Sequence, residues 1–183
     1  LHRVDRRQRQ MCIRDSYRGE GNQDYLRFNV ATTFTRAAEE SLIDVKSSLH
    51  IGARGPTNDS SVFAHTRDVG YGLINGTELF NAGLNNTAKK IVRTLEGRPV
   101  YLCFDMDFFD PSCAPGVCTP TWGGASSREG LELLQNLTGL NVVGADINTV
   151  SPPHDVSGMT AFLAATVGLE ILSLICHSKG LVK

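Results

Sequence analysis

The chain has 183 residues, 41% of them hydrophobic, with 18 basic and 19 acidic side chains and a formal net charge of −1. That is enough for one buried core and too balanced for a nucleic-acid-binding surface, so a single soluble domain is expected. The five cysteines, at positions 12, 103, 113, 118 and 176, show no paired framework spacing, which points to a reducing cytoplasm.

Leu1 to Ser16 carries five Arg with almost no apolar residue and no period. Its ending, Q-M-C-I-R-D-S, reads as translated sequencing adapter, so residues 1–16 are set apart as non-native and residues 17–183 are read as one domain portion. Without the five Arg and two Asp of that stretch, 18 basic and 19 acidic side chains become 13 and 17. There is no apolar h-region of a signal peptide and no membrane span. Tyr17 to Asn29 reads as loop. Thr32 to Ile43 predicts a helix, with Phe34, Ala37, Ala38 and Leu42 near helical spacing. Leu49 to Ala53 predicts a strand stopped by Arg54-Gly-Pro56. Ser60 to Arg67 predicts a second helix capped by Asn58 or Asp59, and Gly70 to Ile74 a strand weakened by two glycines. Thr87 to Leu95 is amphipathic, with Ala88, Ile91, Val92 and Leu95 on its apolar face.

Pro99 to Phe104 is apolar on both faces, as a buried parallel strand is, and it ends in Asp105 and Asp107. Their shared parity predicts that both side chains point to one face. Ligands of open α/β sheets bind outside the carboxyl ends of strands, and two adjacent carboxylates repel unless a cation, a proton or an Arg compensates them. A divalent metal satisfies that need, whereas capping, pairing with Arg or facing water is the ordinary fate of a bare D-x-D. Downstream, Ser126-Ser-Arg-Glu129 predicts a capping box and a helix to about Leu137 burying Leu131, Leu134 and Leu137. Leu140 to Ile147 predicts another buried strand. Gly158 to His177 predicts a long apolar helix whose internal Glu170 and small residues suit packing on a sheet better than a membrane. Alternating helices and strands imply α/β topology with a parallel sheet covered by helices.

The string F-D-M-D-x-x-D-P-x-x-A-P-G-x-x-T-P-x-x-G-G, from Phe104 to Gly124, resembles the third signature of the ureohydrolase (arginase/agmatinase) family, and the similarity runs from about Phe28 to the last helix, closest to agmatinase-like members. The resemblance implies a three-layer α/β/α sandwich with a parallel sheet, of which this chain is the carboxyl-terminal portion. It implies Asp105 and Asp107 as ligands of a pair of Mn2+ ions, with Asp110 a loop carboxylate outside the metal set. The family's Gly-Gly-Asp-His and Asp-Ala-His-x-Asp segments, which supply its remaining ligands, do not occur; Asp15 lies within the suspected adapter and takes no role. Two carboxylates offer too few donors for two ions, so the chain alone is expected to bind manganese weakly and to be inactive. In the intact relative, two bridged metals lower the pKa of a shared water, whose hydroxide hydrolyses a guanidino or amidine compound, agmatine-like, to urea and an amine. The expected partner is thus a small guanidino substrate, with no nucleic acid and no membrane, in a homo-oligomer, trimeric or hexameric as is common in the family.

Departures from the family pattern bear on substrate. Thr149 stands where agmatinases and arginases usually have the Glu that clamps the guanidinium, and a hydroxyl cannot pair a cation. Val30 takes the place of a His in Asn29-Val-Ala-Thr-Thr-Phe34. Trp122 stands where a small residue or Pro is common. With His154 near the presumed pocket mouth, Thr149 and Trp122 are the substrate-contact candidates. An exposed loop histidine is the more ordinary reading of His154, and lid packing the more frequent reason for a lone Trp such as Trp122. Asp146 reads as a structural acceptor, Cys113 and Cys118 lack further zinc ligands, and Ser126 caps a helix. Two other readings stand beside the hydrolase: a non-catalytic ureohydrolase-like subunit, and a D-x-D metal-dependent glycosyltransferase.

Overall fold

A computed structural model describes residues 27–29, 32–56 and 61–182. Leu1 to Ser16, Asp15, Val30 and the caps expected at Asn58 or Asp59 lie outside the described residues. Two compact units divide at Asn75/Gly76, and each carries one parallel strand pair among the described residues.

In the first unit, helix α1 (Thr33–Glu39) and strand β1 (Leu49–Ala53) are followed by α2 (Val62–Val69) and β2 (Gly72–Asn75). The strands pair in parallel, with Leu49 opposite Gly72 and Ile51 opposite Ile74. Helix α1 stops four residues short of the predicted Ile43, because Ser41 takes a positive φ of 52° and the Leu42 amide turns back to the Ala37 carbonyl. Gly70, expected in the strand, ends α2 instead. Its φ of 110° closes the left-handed cap that a side chain disfavours, with its amide on the Arg67 carbonyl. The core of this unit includes Tyr71, whose hydroxyl donates to the Phe34 carbonyl at 2.8 Å. His50 lies between the edges of the Phe34 and Tyr71 rings, with centroids 5.2 and 4.7 Å away.

In the second unit, α3 (Gly76–Ala82), α4 (Leu84–Leu95), β3 (Pro99–Asp105), α5 (Ser127–Gln135), β4 (Asn141–Asn148) and α6 (Met159–Ser178) follow in order. Helix α3 was not legible in the sequence: it is seven residues long with only Gly76 and Leu79 buried, too short for a helical period to emerge. Strands β3 and β4 pair in parallel from Pro99/Asn141 to Asp105/Asn148, but they are not buried on both faces as expected: β3 is buried only from Cys103 to Asp105, with Pro99 and Tyr101 exposed, and in β4 Val142 is buried while Val143 is exposed. Helix α5 opens on the predicted capping box: the Glu129 amide donates to Ser126 Oγ, and Glu129 Oε2 accepts from the Ser126 amide at 2.8 Å. Its buried side is Gly130, Leu133 and Leu134, with Leu137 just beyond, so Leu133 takes the inward place assigned to Leu131.

Helix α6 is long and apolar enough to cross a membrane by length and composition. In this fold its Thr160, Val167, Ile171 and Leu174 are buried, and Gly168 lies against Ile147 of β4. Asp155 caps its first turn, accepting the Thr160 and Ala161 amides at 2.9 Å each. Burial works against that carboxylate, but these amides dominate and hold its pKa below the usual value.

Candidate active site

Asp105, Asp107 and Thr149 come together at the carboxyl ends of β3 and β4, because the register aligns the two strand ends and Thr149 bonds the Asp107 amide. Asp105 closes β3 opposite Asn148, the last residue of β4. The chain then enters a single 3-10 turn, Met106–Phe108. Strand parity therefore stops at Asp105 and does not set the direction of Asp107, although both aspartates are buried, at 3% and 7% exposure. Phe104, Phe108 and Phe109 meet in tilted and edge-to-face contacts with centroids 5.6 to 6.0 Å apart. Apolar packing thus surrounds the turn that holds Asp107.

Asp107 is fixed from two sides. Its Oδ2 accepts from Thr119 Oγ1 at 2.8 Å, and its amide donates to Thr149 Oγ1 at 3.2 Å. Thr149 also donates its hydroxyl hydrogen to the Asn148 carbonyl at 2.7 Å. It takes a φ of 69°, a left-handed conformation that a β-branched residue adopts at a cost of about 1–3 kcal/mol. Surrounding contacts hold it there: the Thr149 carbonyl accepts the Cys118 amide at 3.0 Å, and Val117 bridges Val150 in antiparallel sense. The Gly116 carbonyl accepts the Ser151 amide, and the Gly116 amide donates to the buried Thr160 hydroxyl at 2.9 Å. The Ala114 to Thr119 loop is thereby stitched to the segment after β4.

Asp110 organises the same loop. Its Oδ1 accepts the Ser112 amide at 2.9 Å, and its Oδ2 accepts the Gly123 and Gly124 amides at 2.9 and 3.2 Å. Hydrogen bonds from Ser112 first, then from the two glycine amides, lower its pKa to about 2. Trp122, two residues past Pro120, is 76% exposed. His154 is exposed on the Pro152–His154 turn with Nδ1 2.7 Å from Ser151 Oγ. Asp146 accepts from the Tyr101 hydroxyl at 2.7 Å and from Asn148 Nδ2. Burial and that bond to Asp146 push the Tyr101 hydroxyl pKa up.

The donor chemistry fits a hard or borderline divalent cation. Two carboxylates drawn out of water next to a third oxygen-rich loop are acceptor-only groups, and hydrophobic packing around them favours the ionised form only when positive charge compensates it. Among the described residues no group of three or more His, Cys, Asp or Glu side chains forms a complete metal cage. Thr119 and Asp155 were missed in sequence. Thr119 carries a faint signal in its Thr-Pro step within the motif; Asp155 carries none, since it reaches its helix from four residues before Met159.

The Arginase family model, "Arginase family", matches residues 14–173. The chain is 40% identical over 147 residues to the guanidinopropionase of Pseudomonas aeruginosa, covering 80% of this chain and 46% of that protein. It is 35% identical over 139 residues to the human mitochondrial guanidino acid hydrolase, covering 76% of this chain and 40% of that protein. A solved structure of a hypothetical agmatinase from Burkholderia thailandensis superposes with a TM-score of 0.78 at 31% identity, covering 94% of this chain and 51% of that one. The fold is arginase-like, α/β with parallel strands, and the chain spans about half the length of the curated relatives it matches. These matches favour neither the glycosyltransferase reading nor the non-catalytic subunit.

Proposed function

Since the chain belongs to the arginase family, we propose that the protein it represents hydrolyses a C–N bond of a guanidino compound, with water, to release urea and an amine. The observation that carries this reading is the pair of buried aspartates, Asp105 and Asp107, at the carboxyl end of β3, where α/β folds bind ligands. These two carboxylates would hold a pair of divalent cations, manganese by resemblance. When bound, such a pair supplies an acidified water as nucleophile at neutral pH. The contribution of the chain itself is to hold the two acidic side chains and to keep bulk water away through the Phe104, Phe108 and Phe109 packing.

Thr149 stands where the family usually places a guanidinium-clamping Glu, and its hydroxyl can accept a hydrogen bond without pairing a cation. Relatives named guanidinopropionase and guanidino acid hydrolase support a substrate class wider than agmatine; Trp122 and His154 are its proposed contacts, while the Thr149 hydroxyl is already engaged by the Asp107 amide and the Asn148 carbonyl. A trimeric or hexameric assembly in the cytoplasm accompanies the proposal, which requires neither nucleic acid nor a membrane. With two acidic ligands among the described residues, the 183-residue chain by itself holds manganese weakly and turns over no guanidino compound.

Urea release from guanidinopropionate, guanidinobutyrate and agmatine, assayed with manganese on the longest protein that carries this chain, tests the reading. Urea from at least one of them, lost on Asp105→Asn, is the expected result. No urea from any of them overturns it. Calorimetric titration showing two tight manganese sites on the 183-residue chain alone would contradict the weak-binding part.

A further inference from the structure

We infer that the Asn148 side chain is the acceptor that reads the substrate's guanidino group, with Asp146 and Tyr101 as its positioning residues; the inference rests on the hydrolase reading of this site. Register puts these side chains on one face of the second unit's strand pair. Tyr101, Cys103 and Asp105 of β3 stand opposite Gly144, Asp146 and Asn148 of β4 with no shift between them, and alternate residues of a strand share a face. Asn148 is therefore the side chain beside Asp105 at the carboxyl ends of the strands, where α/β folds bind ligands.

The amide nitrogen of Asn148 sets its orientation. Nδ2 donates to Asp146 Oδ1 and, at 3.4 Å, to Cys103 Sγ. Asp146 and Cys103 are register partners one pleat back from Asn148 and Asp105. The nitrogen is thus turned back along the sheet, and Oδ1, on the far side of the same carbon, is turned toward the strand ends. Among the described residues the hydrogen bonds of this side chain all run through Nδ2, so Oδ1 keeps its acceptor capacity. The second oxygen of Asp146 is held by the Tyr101 hydroxyl at 2.7 Å. The Tyr101 ring reaches it by crossing Gly144, where a built Cβ would lie 3.2 Å from the ring. A carboxylate behind Nδ2 polarises the amide and makes Oδ1 a stronger acceptor. A guanidinium offers N–H donors and no acceptor, and the hydroxyl of the next residue, Thr149, is already engaged. Asn148 backed by Asp146 thereby supplies negative potential where no Glu is present, through hydrogen bonds rather than a direct ion pair.

The test is steady-state urea release, with manganese, by the longest protein that carries this chain, on the guanidino compound it turns over fastest. Asn148→Leu keeps the size and removes the oxygen; kcat/KM is expected to fall about 10- to 100-fold, mainly through KM. Competitive inhibition by the guanidinium ion, which has the head group and no tail, should weaken by a similar factor. Asp146→Asn keeps the shape and removes the charge behind the amide, and should raise the same KM by a smaller factor. Thermal unfolding accompanies each variant, and Asn148→Ala replaces the leucine variant should that one fail to fold. An unchanged KM in the Asn148 variant, or a fall in kcat alone, overturns the inference while the hydrolase reading stands. A raised KM with unchanged guanidinium inhibition also overturns it, since the contact would then be with the tail. An unchanged KM in Asp146→Asn overturns the positioning part. No urea from the parent overturns the hydrolase reading, and the role of Asn148 falls with it.

Discussion

The ring of Phe109 fills the space that a side chain at Gly130 would need: a Cβ built on Gly130 lies 2.1 Å from Phe109 Cε1. Phe109 is 1% exposed and follows the turn that carries Asp107, so α5 settles on the aspartate loop only because position 130 has no side chain. Gly130→Ala sets a helix-propensity gain of up to about 1 kcal/mol against overpacking of a buried ring, which costs about 1–3 kcal/mol. Net destabilisation of about 1–2 kcal/mol is expected in urea unfolding. A more stable variant would mean that Phe109 can move aside.

Asp110 predicts an acid-labile loop. Its carboxylate has a folded pKa of about 2 because Ser112, Gly123 and Gly124 bind its ionised form. A folded value below the unfolded one contributes stability that is present above the unfolded pKa and lost as pH falls through the folded value. Loop protection is therefore retained at neutral pH and lost between about pH 4 and 2. Asp110→Asn should bring the loss to neutral pH, read as faster amide exchange at Gly123 and Gly124 with the exchange of β3 unchanged. Unchanged exchange at the two glycines would contradict the role.

His50 makes the first unit sensitive to acid over a higher range. Burial lowers its pKa from 6.5 to about 4, between Phe34 and Tyr71. The unfolded chain takes up a proton below pH 6.5 that the folded one refuses until about pH 4. Stability is thus full above 6.5, declines through that window and levels off below it. From pH 7.5 to 5 the loss is about 2 kcal/mol. Unfolding midpoints measured across that interval should show the slope, and His50→Phe should flatten it.

Parts of this fold were legible because the signal was local. The apolar run before Asp105, the i to i+3 spacing of Ser126 and Glu129, and the long apolar stretch of α6 each fall within one element. The site's supporting bonds were not, because they join distant segments: Thr119 meets Asp107 across 12 residues and Asp107 meets Thr149 across 42. The φ of Thr149 runs against the preference of a β-branched residue, so no propensity could announce it. Strand parity does not extend to Asp107, because one 3-10 turn begins immediately after Asp105.

The outer side of α6 predicts how the isolated chain behaves in solution. Phe162, Leu169 and Leu172 are exposed, seven and then three residues apart, so they share one helical stripe. Their neighbours on the inner side, Val167, Ile171 and Leu174, are buried; the helix is thus apolar on both sides. Each exposed side chain that finds cover gains about 1.5–3 kcal/mol, and contiguous apolar patches drive association. The chain should bind a hydrophobic fluorescent dye and gain apparent mass with concentration in sedimentation. Phe162→Ser, Leu169→Lys and Leu172→Glu together should reduce both while the far-ultraviolet circular dichroism stays the same, because none of the three contributes to the buried side. Association that persists in the triple variant would place the sticky surface elsewhere on the chain.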